Sequence, residues 1–129
     1  MADIKLTANV VIANGPSIAT SRALALGGYD RIDITVPNGQ SKDVELQPGG
    51  AGRVQLLFVT SSLYDDKLTY KINGGADTFA LDQPLMLAGH GAIMLFTDPP
   101  TKLSFNNATT GNNAGDAIVE ILVGRNVGP

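Results

Sequence analysis

Apolar and polar side chains alternate along most of the chain with a period of two residues. This is the pattern of β-strands that cover a core with one face. The segments that alternate, or that are apolar throughout, are 4–10, 31–36, 44–46, 53–61, 68–72, 79–81, 84–88, 92–97, 102–105 and 117–123. Segment 17–26 is ambiguous, because its alanines and leucines fit a short helix while its alternation fits a strand.

Glycine and proline separate these segments, with 15 glycines and seven prolines in 129 residues. Asn73-Gly74-Gly75 suits a hairpin turn, since asparagine and glycine tolerate positive φ. No other window shows a helical stripe. The sequence therefore predicts a single all-β domain over residues 1–129, a β-sandwich or jelly-roll-like barrel of about 8–10 short antiparallel strands.

Several predicted strands are apolar on both faces, as in "VQLLFV" (54–59) and "AIVEILV" (117–123). Monomeric soluble proteins rarely expose large contiguous apolar patches, so a further layer or another chain must cover the second face. We expect a homo-oligomer (a dimer or trimer) or a subunit of a larger assembly. The alternative is that these are central strands with covered ends. The predicted interface side chains are Ile4, Leu6, Leu57, Val59, Met94, Phe96 and Leu122.

Charge and cysteine content narrow the class of partner. The net charge is −3 and the nine basic residues are scattered, whereas nucleic-acid binding needs a clustered basic surface. No segment has the length needed to cross a bilayer, and the first residues show no secretion-signal pattern. The absence of cysteine excludes disulfides and thiolate chemistry. We therefore expect no nucleic-acid and no membrane partner.

Candidate catalytic groups are few. His90 is the single histidine, and a catalytic triad or histidine-rich metal site needs partners that no motif supplies. We predict that it lies in a tight turn between strands 85–88 and 92–97. Asp30, Asp33, Asp65 and Asp66 could supply oxygen ligands to calcium, but the spacing of a calcium-binding loop is missing. The sequence predicts no catalytic residue, no metal and no cofactor, and thus a protein that is not an enzyme.

A long polar run, "FNNATTGNNAGD" (105–116), separates the last two predicted strands. Its asparagines and glycines suit turn conformations, and its length exceeds a usual hairpin loop. We expect residues 106–116 to form an exposed tip that contacts a neighbouring subunit or faces outward. Deletion of residues 109–113 is then expected to leave the fold intact.

The layout of the whole chain resembles that of small virion proteins of tailed bacteriophages, in particular capsid decoration (cement) proteins. The resemblance rests on the polar start "MADIKLTAN", the hairpin "KLTYKINGGADTFAL" (67–81) and the closing strand "AIVEILVGRNVGP" (117–129). It implies a non-enzymatic protein that is made in the host cytoplasm and binds the surface of an assembled capsid. Such a protein is a dimer or trimer that binds the major capsid protein, or another virion protein, and bridges neighbouring subunits of the shell.

The resemblance also suggests where the contacts lie. Residues 1–9 are expected to form an N-terminal arm and residues 124–129 a C-terminal tail. Arg125 would pair with an acidic group of a partner, or else end a strand in solvent. Two alternatives stay open. One is a carbohydrate- or receptor-binding jelly-roll module whose loops 61–67, 74–78 and 106–116 contact a sugar, and the other is a tail or fibre subunit.

Overall fold

A computed structural model describes residues 2–46, 54–96 and 100–126, and the end of the predicted tail (127–129) lies outside these ranges. Within them the chain forms ten β-strands, one turn of α-helix and one 3-10 turn at Gly111–Asn113. The strands and the helix are β1 Ala2–Val11, β2 Ser17–Leu26, β3 Gly28–Val36, β4 Ser41–Glu45, β5 Val54–Ser61, β6 Asp65–Ile72, β7 Phe79–Leu81, β8 Leu85–Ala88, α1 His90–Ile93, β9 Lys102–Asn107 and β10 Ala117–Arg125.

Eight of the strands form two antiparallel four-stranded sheets. The first sheet has the order β3-β10-β5-β8 and the second the order β4-β9-β6-β7. Numbered one to eight along the chain, these strands lie in the orders 1-8-3-6 and 2-7-4-5, which is the topology of a jelly roll. The predicted fold class, an all-β sandwich of antiparallel strands, is confirmed.

The core lies between the two sheets. Alternate residues of the central strands point inward, since successive side chains of a strand point to opposite faces. The innermost large side chains are Leu57 and Val59 of β5, Leu68 of β6, Leu103 and Phe105 of β9, and Val119, Ile121 and Val123 of β10, all at most 1% exposed. Burial of these apolar groups is the main source of stability of the sandwich.

One predicted strand is wrong. The strand predicted over residues 92–97 is absent: residues 90–93 form α1, residues 94–96 follow it as a turn, and residues 97–99 lie outside the described part. Gly89, between β8 and α1, has a φ of 90°, a conformation that other residues rarely adopt. Ile93 then enters the core from the helical turn while His90 stays exposed. A short apolar run does not by itself distinguish a strand from a buried helical turn.

The first two strands belong to neither sheet. β1 and β2 pair with each other over ten residue pairs, from Ala2 opposite Leu26 to Val11 opposite Ser17. We call residues 2–26 the arm. The ambiguous segment 17–26 is therefore a strand, and the N-terminal arm predicted over residues 1–9 is part of a hairpin that continues to residue 26.

The polar segment 106–116 lies at the end of the sandwich opposite the arm, and the prediction that it is an exposed tip is confirmed for most of its residues but is wrong for Asn107 and Thr109. Asn107 is fully buried, and its side-chain amide donates to the carbonyl oxygens of Val36 (3.0 Å) and Gly115 (2.8 Å). Its carbonyl oxygen accepts from the hydroxyl of Thr109 at 2.7 Å. Thr109 is itself 3% exposed and accepts from Asn38. Asparagine and threonine thus close this end of the core.

Two further hydrogen bonds fasten the same segment. The backbone N–H of Asn38 donates to the carboxylate of Asp116 at 2.9 Å, and the amide of Asn113 donates to that of Asp65 at 2.7 Å. The 3-10 turn and its neighbours, residues 110–114, form the longest continuous exposed stretch of the segment. A deletion of residues 109–113 would remove buried Thr109, so the expectation that such a deletion is harmless loses its basis.

Candidate interaction surface

The arm has an apolar face. Directly opposed residues of an antiparallel pair point to the same side, so Ile4 shares a face with Leu24 and Val10 shares it with Ile18. We call this the apolar face of the arm. Its residues are Ile4, Leu6, Ala8, Val10, Ile18, Thr20, Arg22, Leu24 and Leu26. Arg22, opposite Leu6, is the one charged residue on it.

The other face of the arm is polar or small. It carries Asp3, Lys5, Thr7 and Asn9 of β1, opposite alanines and serines of β2. Val11 is the one large apolar residue on this side and pairs with Ser17. The ribbon is therefore amphipathic, with a period of two in both strands.

Exposure of the apolar face increases from the base of the arm to its tip. Leu26 is buried, and Ile4, Leu6 and Leu24 are half-buried. Val10 and Ile18, near the turn, are 62% and 73% exposed. Large aliphatic side chains that are this exposed on a two-stranded ribbon have no core to join within the described chain.

A close contact at Gly124 seats the base of the arm on the first sheet. A Cβ at Gly124 would lie 2.5 Å from Leu26 Cδ1 and 3.1 Å from Leu56 Cβ, with Ile4 Cδ1 at 3.6 Å. The backbone N–H of Gly27 also donates to the carbonyl of Arg125 at 3.0 Å. Glycine at position 124 thus allows the apolar face of the arm to lie directly on the outer face of the first sheet.

The outer face of the first sheet continues from this seat as an apolar surface. Register places Leu122 of β10, Phe58 of β5 and Met86 of β8 side by side across three strands, with Arg31 of β3 at the end of the row. Tyr29 lies one row nearer the arm. We call Tyr29, Phe58, Met86 and Leu122 the outer patch, of which Tyr29 is 57% and Met86 45% exposed.

An acidic row borders the outer patch on the side away from the arm. Glu120 and Asp33 lie opposite each other on β10 and β3, and both contact Arg31 at 3.3 Å. All three side chains are more than half exposed, so these ion pairs contribute little to stability. Two carboxylates against one guanidinium leave this row with a formal charge of −1.

The structure divides the predicted interface residues. Ile4 and Leu6 lie on the apolar face of the arm, and Leu122 lies in the outer patch. Leu57 and Val59 are buried in the core at 0% and 1% exposure, so their assignment to an outer surface is corrected. Because β5 is apolar at consecutive positions, its sequence does not show which residues point into the core and which point outward. Phe58, which sequence reasoning missed, is the residue of that run that faces out.

The remaining three predicted residues lie apart from this surface. Met94 is exposed just after α1, and Phe96 is half-buried with its ring 6.0 Å from that of Phe79. Arg125 pairs with Asp30 of its own chain and donates to the carbonyl of Leu46 at 3.3 Å. Its side chain is only 13% exposed. Arg125 therefore uses an acidic group of its own chain, and neither of the two expectations for it, an acidic group of a partner or a solvated strand end, describes this structure.

A cavity of about 570 Å³ opens at the edge of the sandwich where β7 and β8 face each other. Its walls are mainly apolar and include Tyr70, Phe79 and Phe96, with Asn73 and Asp77 at the rim. The rings of Tyr70 and Phe79 stack at 5.6 Å. Burial raises the pKa of the Tyr70 hydroxyl, and the nearby charge of Asp82 adds to the rise.

The three loops proposed for sugar contact do not meet. Loops 61–67 and 106–116 share one end of the sandwich, where Asn113 reaches Asp65. Loop 74–78 follows the other end of β6, a strand of eight residues that spans roughly 26 Å. A single sugar cannot bridge that distance, so the three loops do not form one sugar-binding site.

Other chemistry is sparse in the ranges that the structure describes. They contain no group of three or more histidine, aspartate or glutamate side chains arranged to hold a metal ion. Asp30 and Asp33 are paired with arginines, and Asp65 accepts from Asn113. The same ranges contain no helix long and apolar enough to span a membrane.

Comparisons with protein-family models, with curated proteins and with solved structures found no match. The functional proposal therefore rests on the geometry of the chain and on the resemblance in its sequence.

Proposed function

We propose that this chain is a non-enzymatic structural protein of a bacteriophage virion, a capsid decoration protein that binds an assembled shell as an oligomer. The observation that carries the proposal is the arm. It projects from a complete jelly roll, exposes one apolar face, and in the described chain pairs only with itself. A domain whose core is already closed gains nothing from such an arm until another chain covers it.

The energetics of the arm support a role in assembly. An isolated two-stranded ribbon is marginally stable in water, and its open edges are sites for pairing with other chains. Covering an exposed valine or isoleucine contributes about 1.5–3 kcal/mol. Val10 and Ile18 together thus offer several kcal/mol to a partner that fits them.

The virion setting is supported by the resemblance in the sequence and by the topology. Jelly rolls occur in viral capsid proteins and in lectins alike. The fold is therefore compatible with a virion protein and with a carbohydrate-binding module, and does not distinguish the two. A protein that binds only the assembled form of a shell stabilises that form by mass action. This is the physical role we assign to the chain.

The direct test uses empty shells of the major capsid protein encoded in the same genome. Purified chain is mixed with these shells and, separately, with the same capsid protein before assembly. We expect the chain to co-sediment with shells to a saturating ratio, to stay in the supernatant with unassembled subunits, and to raise the temperature at which shells come apart. If it fails to sediment with shells at any concentration, the decoration role is wrong.

A carbohydrate-binding module is the second candidate, and one feature favours it. The cavity between β7 and β8 combines the aromatic face of Phe79 with the polar rim of Asn73 and Asp77, and sugar sites often join stacking with hydrogen bonds. Binding to a glycan array that is lost in Phe79→Ala would support this reading. A tail or fibre subunit remains a related proposal, which co-sedimentation with tails rather than shells would distinguish.

A further inference from the structure

We propose that the apolar face of the arm packs on the outer patch of a second copy of this chain, and that two copies exchange arms reciprocally in a two-fold dimer. Arg22 of each arm then meets the acidic row, Glu120 and Asp33, of the other copy. This inference rests on the oligomeric part of the proposed function and names the partner of the arm.

The first support is the seat at Gly124. Within one chain the base of the arm, through Leu26 and Ile4, already lies on the outer face of the first sheet against Leu56. The sheet surface that continues from the seat is apolar too, with Leu122, Phe58 and Met86 in one row. The same kind of surface that receives the base in its own chain is therefore open to receive the tip from another.

The second support is that the two halves of this contact do not meet within one chain. Val10 and Ile18 at the tip stay more than 60% exposed, whereas the contact of the arm with the sandwich at Gly124 is made by Leu26 and Ile4 at its base. Met86 and Tyr29 in the outer patch are exposed as well. Each copy thus exposes two apolar surfaces that can pair with those of another copy, the tip of the apolar face of the arm and the outer patch.

The third support is charge. Residues 2–26 contain Asp3, Lys5 and Arg22, a formal +1, and of these only Arg22 lies on the apolar face. The acidic row beside the outer patch has a formal −1 from Asp33 and Glu120 against Arg31. A single positive charge among apolar residues faces a single net negative charge beside apolar residues, and such complementarity fixes orientation.

The area of the contact points to reciprocal exchange. The part of the ribbon beyond its seated base, about six residue pairs, is roughly 20 Å by 10 Å, so one arm on a second sheet buries about 400 Å² in total, counting both surfaces. That is far below the roughly 1,200 Å² of a specific interface, and reciprocal exchange doubles the area to about 800 Å², so two exchanged arms are favoured over a single one. A two-fold dimer places both arms in one interface, because each subunit uses the same pair of surfaces.

The first experiment uses two adjacent valines that differ only in the face they occupy. Val10 (62% exposed) lies on the apolar face and Val11 (67% exposed) on the polar face. By analytical ultracentrifugation we expect wild-type chain at the mass of two 13.4 kDa subunits. Val10→Asp should raise the dimer dissociation constant about 100-fold or more, because it buries a carboxylate, and Val11→Asp should leave it within about threefold. Equal effects of the two substitutions, or a monomeric wild type, would overturn the proposal.

The second experiment tests the identity of the acceptor surface. Arg22→Glu places a glutamate opposite Glu120, and Glu120→Arg places an arginine opposite Arg22. Each variant alone should dimerise at least tenfold more weakly than wild type at low salt. Mixed together, they should form a heterodimer of near wild-type affinity, since both contacts of the pair are then complementary. Both substituted residues are exposed, so folding should be unaffected, and circular dichroism checks this.

The outcomes separate this inference from the proposed function. If the mixture stays monomeric, or if either variant dimerises like wild type, the arm does not meet the acidic row of a second copy. Dimerisation is measured without shells, and shell binding is measured by sedimentation whatever the oligomeric state. Wild-type chain that binds shells while the mixture fails to associate therefore removes only this inference. Wild-type dimers that ignore shells remove only the decoration role.

Discussion

The polar segment 106–116 and the arm 2–26 occupy opposite ends of the molecule, and each contains residues whose burial its composition does not suggest. The polar segment buries Asn107 and Thr109 at 0% and 3% exposure. The arm alternates apolar residues as core strands do, yet leaves Val10 and Ile18 in solvent. Composition alone would have placed these residues the other way round.

The difference shows what decides burial at each end. Asn107 can be buried because every polar atom of its side chain finds a partner within the chain. The apolar face of the arm stays open because its strands have no second sheet to pack on beyond the seat at Gly124. The polar segment belongs to the folding of one chain, while the arm is available to another.

The largest expected effect is on the polar segment. Asn107→Ala leaves the carbonyl oxygens of Val36 and Gly115 without their donor in a buried site, and frees the hydroxyl of Thr109. We expect the free energy of unfolding to fall by about 2–4 kcal/mol, measured by urea denaturation. Asn106→Ala is the matched control. Asn106 precedes Asn107 on β9, is exposed, and accepts one side-chain hydrogen bond, from Ser41. It should cost less than about 1 kcal/mol.

The comparison fails if both asparagine variants are equally stable. The polar segment would then be a replaceable connection, as the sequence alone suggested, and its hydrogen bonds would be incidental to the fold.

A medium effect is expected where the arm joins the sandwich. Gly124→Ala puts a Cβ within contact distance of Leu26 and Leu56, so the arm must shift from its seat. We expect a loss of about 1–3 kcal/mol in the free energy of unfolding, and faster hydrogen exchange of the amides at the base of the arm. Gly28→Ala is the control, because nothing lies within 4 Å of the Cβ it would add.

Faster exchange confined to the arm would show that it loosens as a unit while the sandwich holds. Uniform acceleration across β5 and β10 would show instead that the arm and the sandwich fold as one structure, and the distinction between the two regions would be lost.

Much of the sandwich follows from local sequence. Alternation located β3, β6 and β10 closely, because a strand with one buried face fixes the parity of its apolar residues. Turn chemistry was equally direct. Asn73 and Gly74 adopt φ of 56° and 69°, as the hairpin prediction required, and Gly39 adopts 80° in the turn after β3.

What could not be predicted depends on partners distant in sequence. The pattern of β1 is that of a core strand, and only its pairing with β2 alone shows that it lies outside the sandwich. Because β5 has four consecutive large apolar residues, the sequence does not show that Phe58 points outward while Leu57 points into the core. The burial of Asn107 depends on Val36, 71 residues away. Periodicity carries none of these long-range facts.

The smallest effect tests the exposed part of the polar segment. The backbone N–H of Lys67 and the side-chain amide of Asn113 both donate to the Asp65 carboxylate at 2.7 Å and hold its pKa below the ordinary value, the Lys67 bond having the larger effect. The stabilising contribution of Asp65 is therefore present above the ordinary carboxyl pKa and is lost as the pH falls through the lowered one. Asn113→Ala should raise the pKa of Asp65 while leaving it below the ordinary value, because the Lys67 bond remains. An NMR titration of the side-chain carboxyl measures this, with Asn112→Ala, an exposed neighbour, as control. An unchanged pKa in Asn113→Ala would mean that residues 110–114 are not fastened to β6, so that only buried Asn107 and Thr109 anchor the segment.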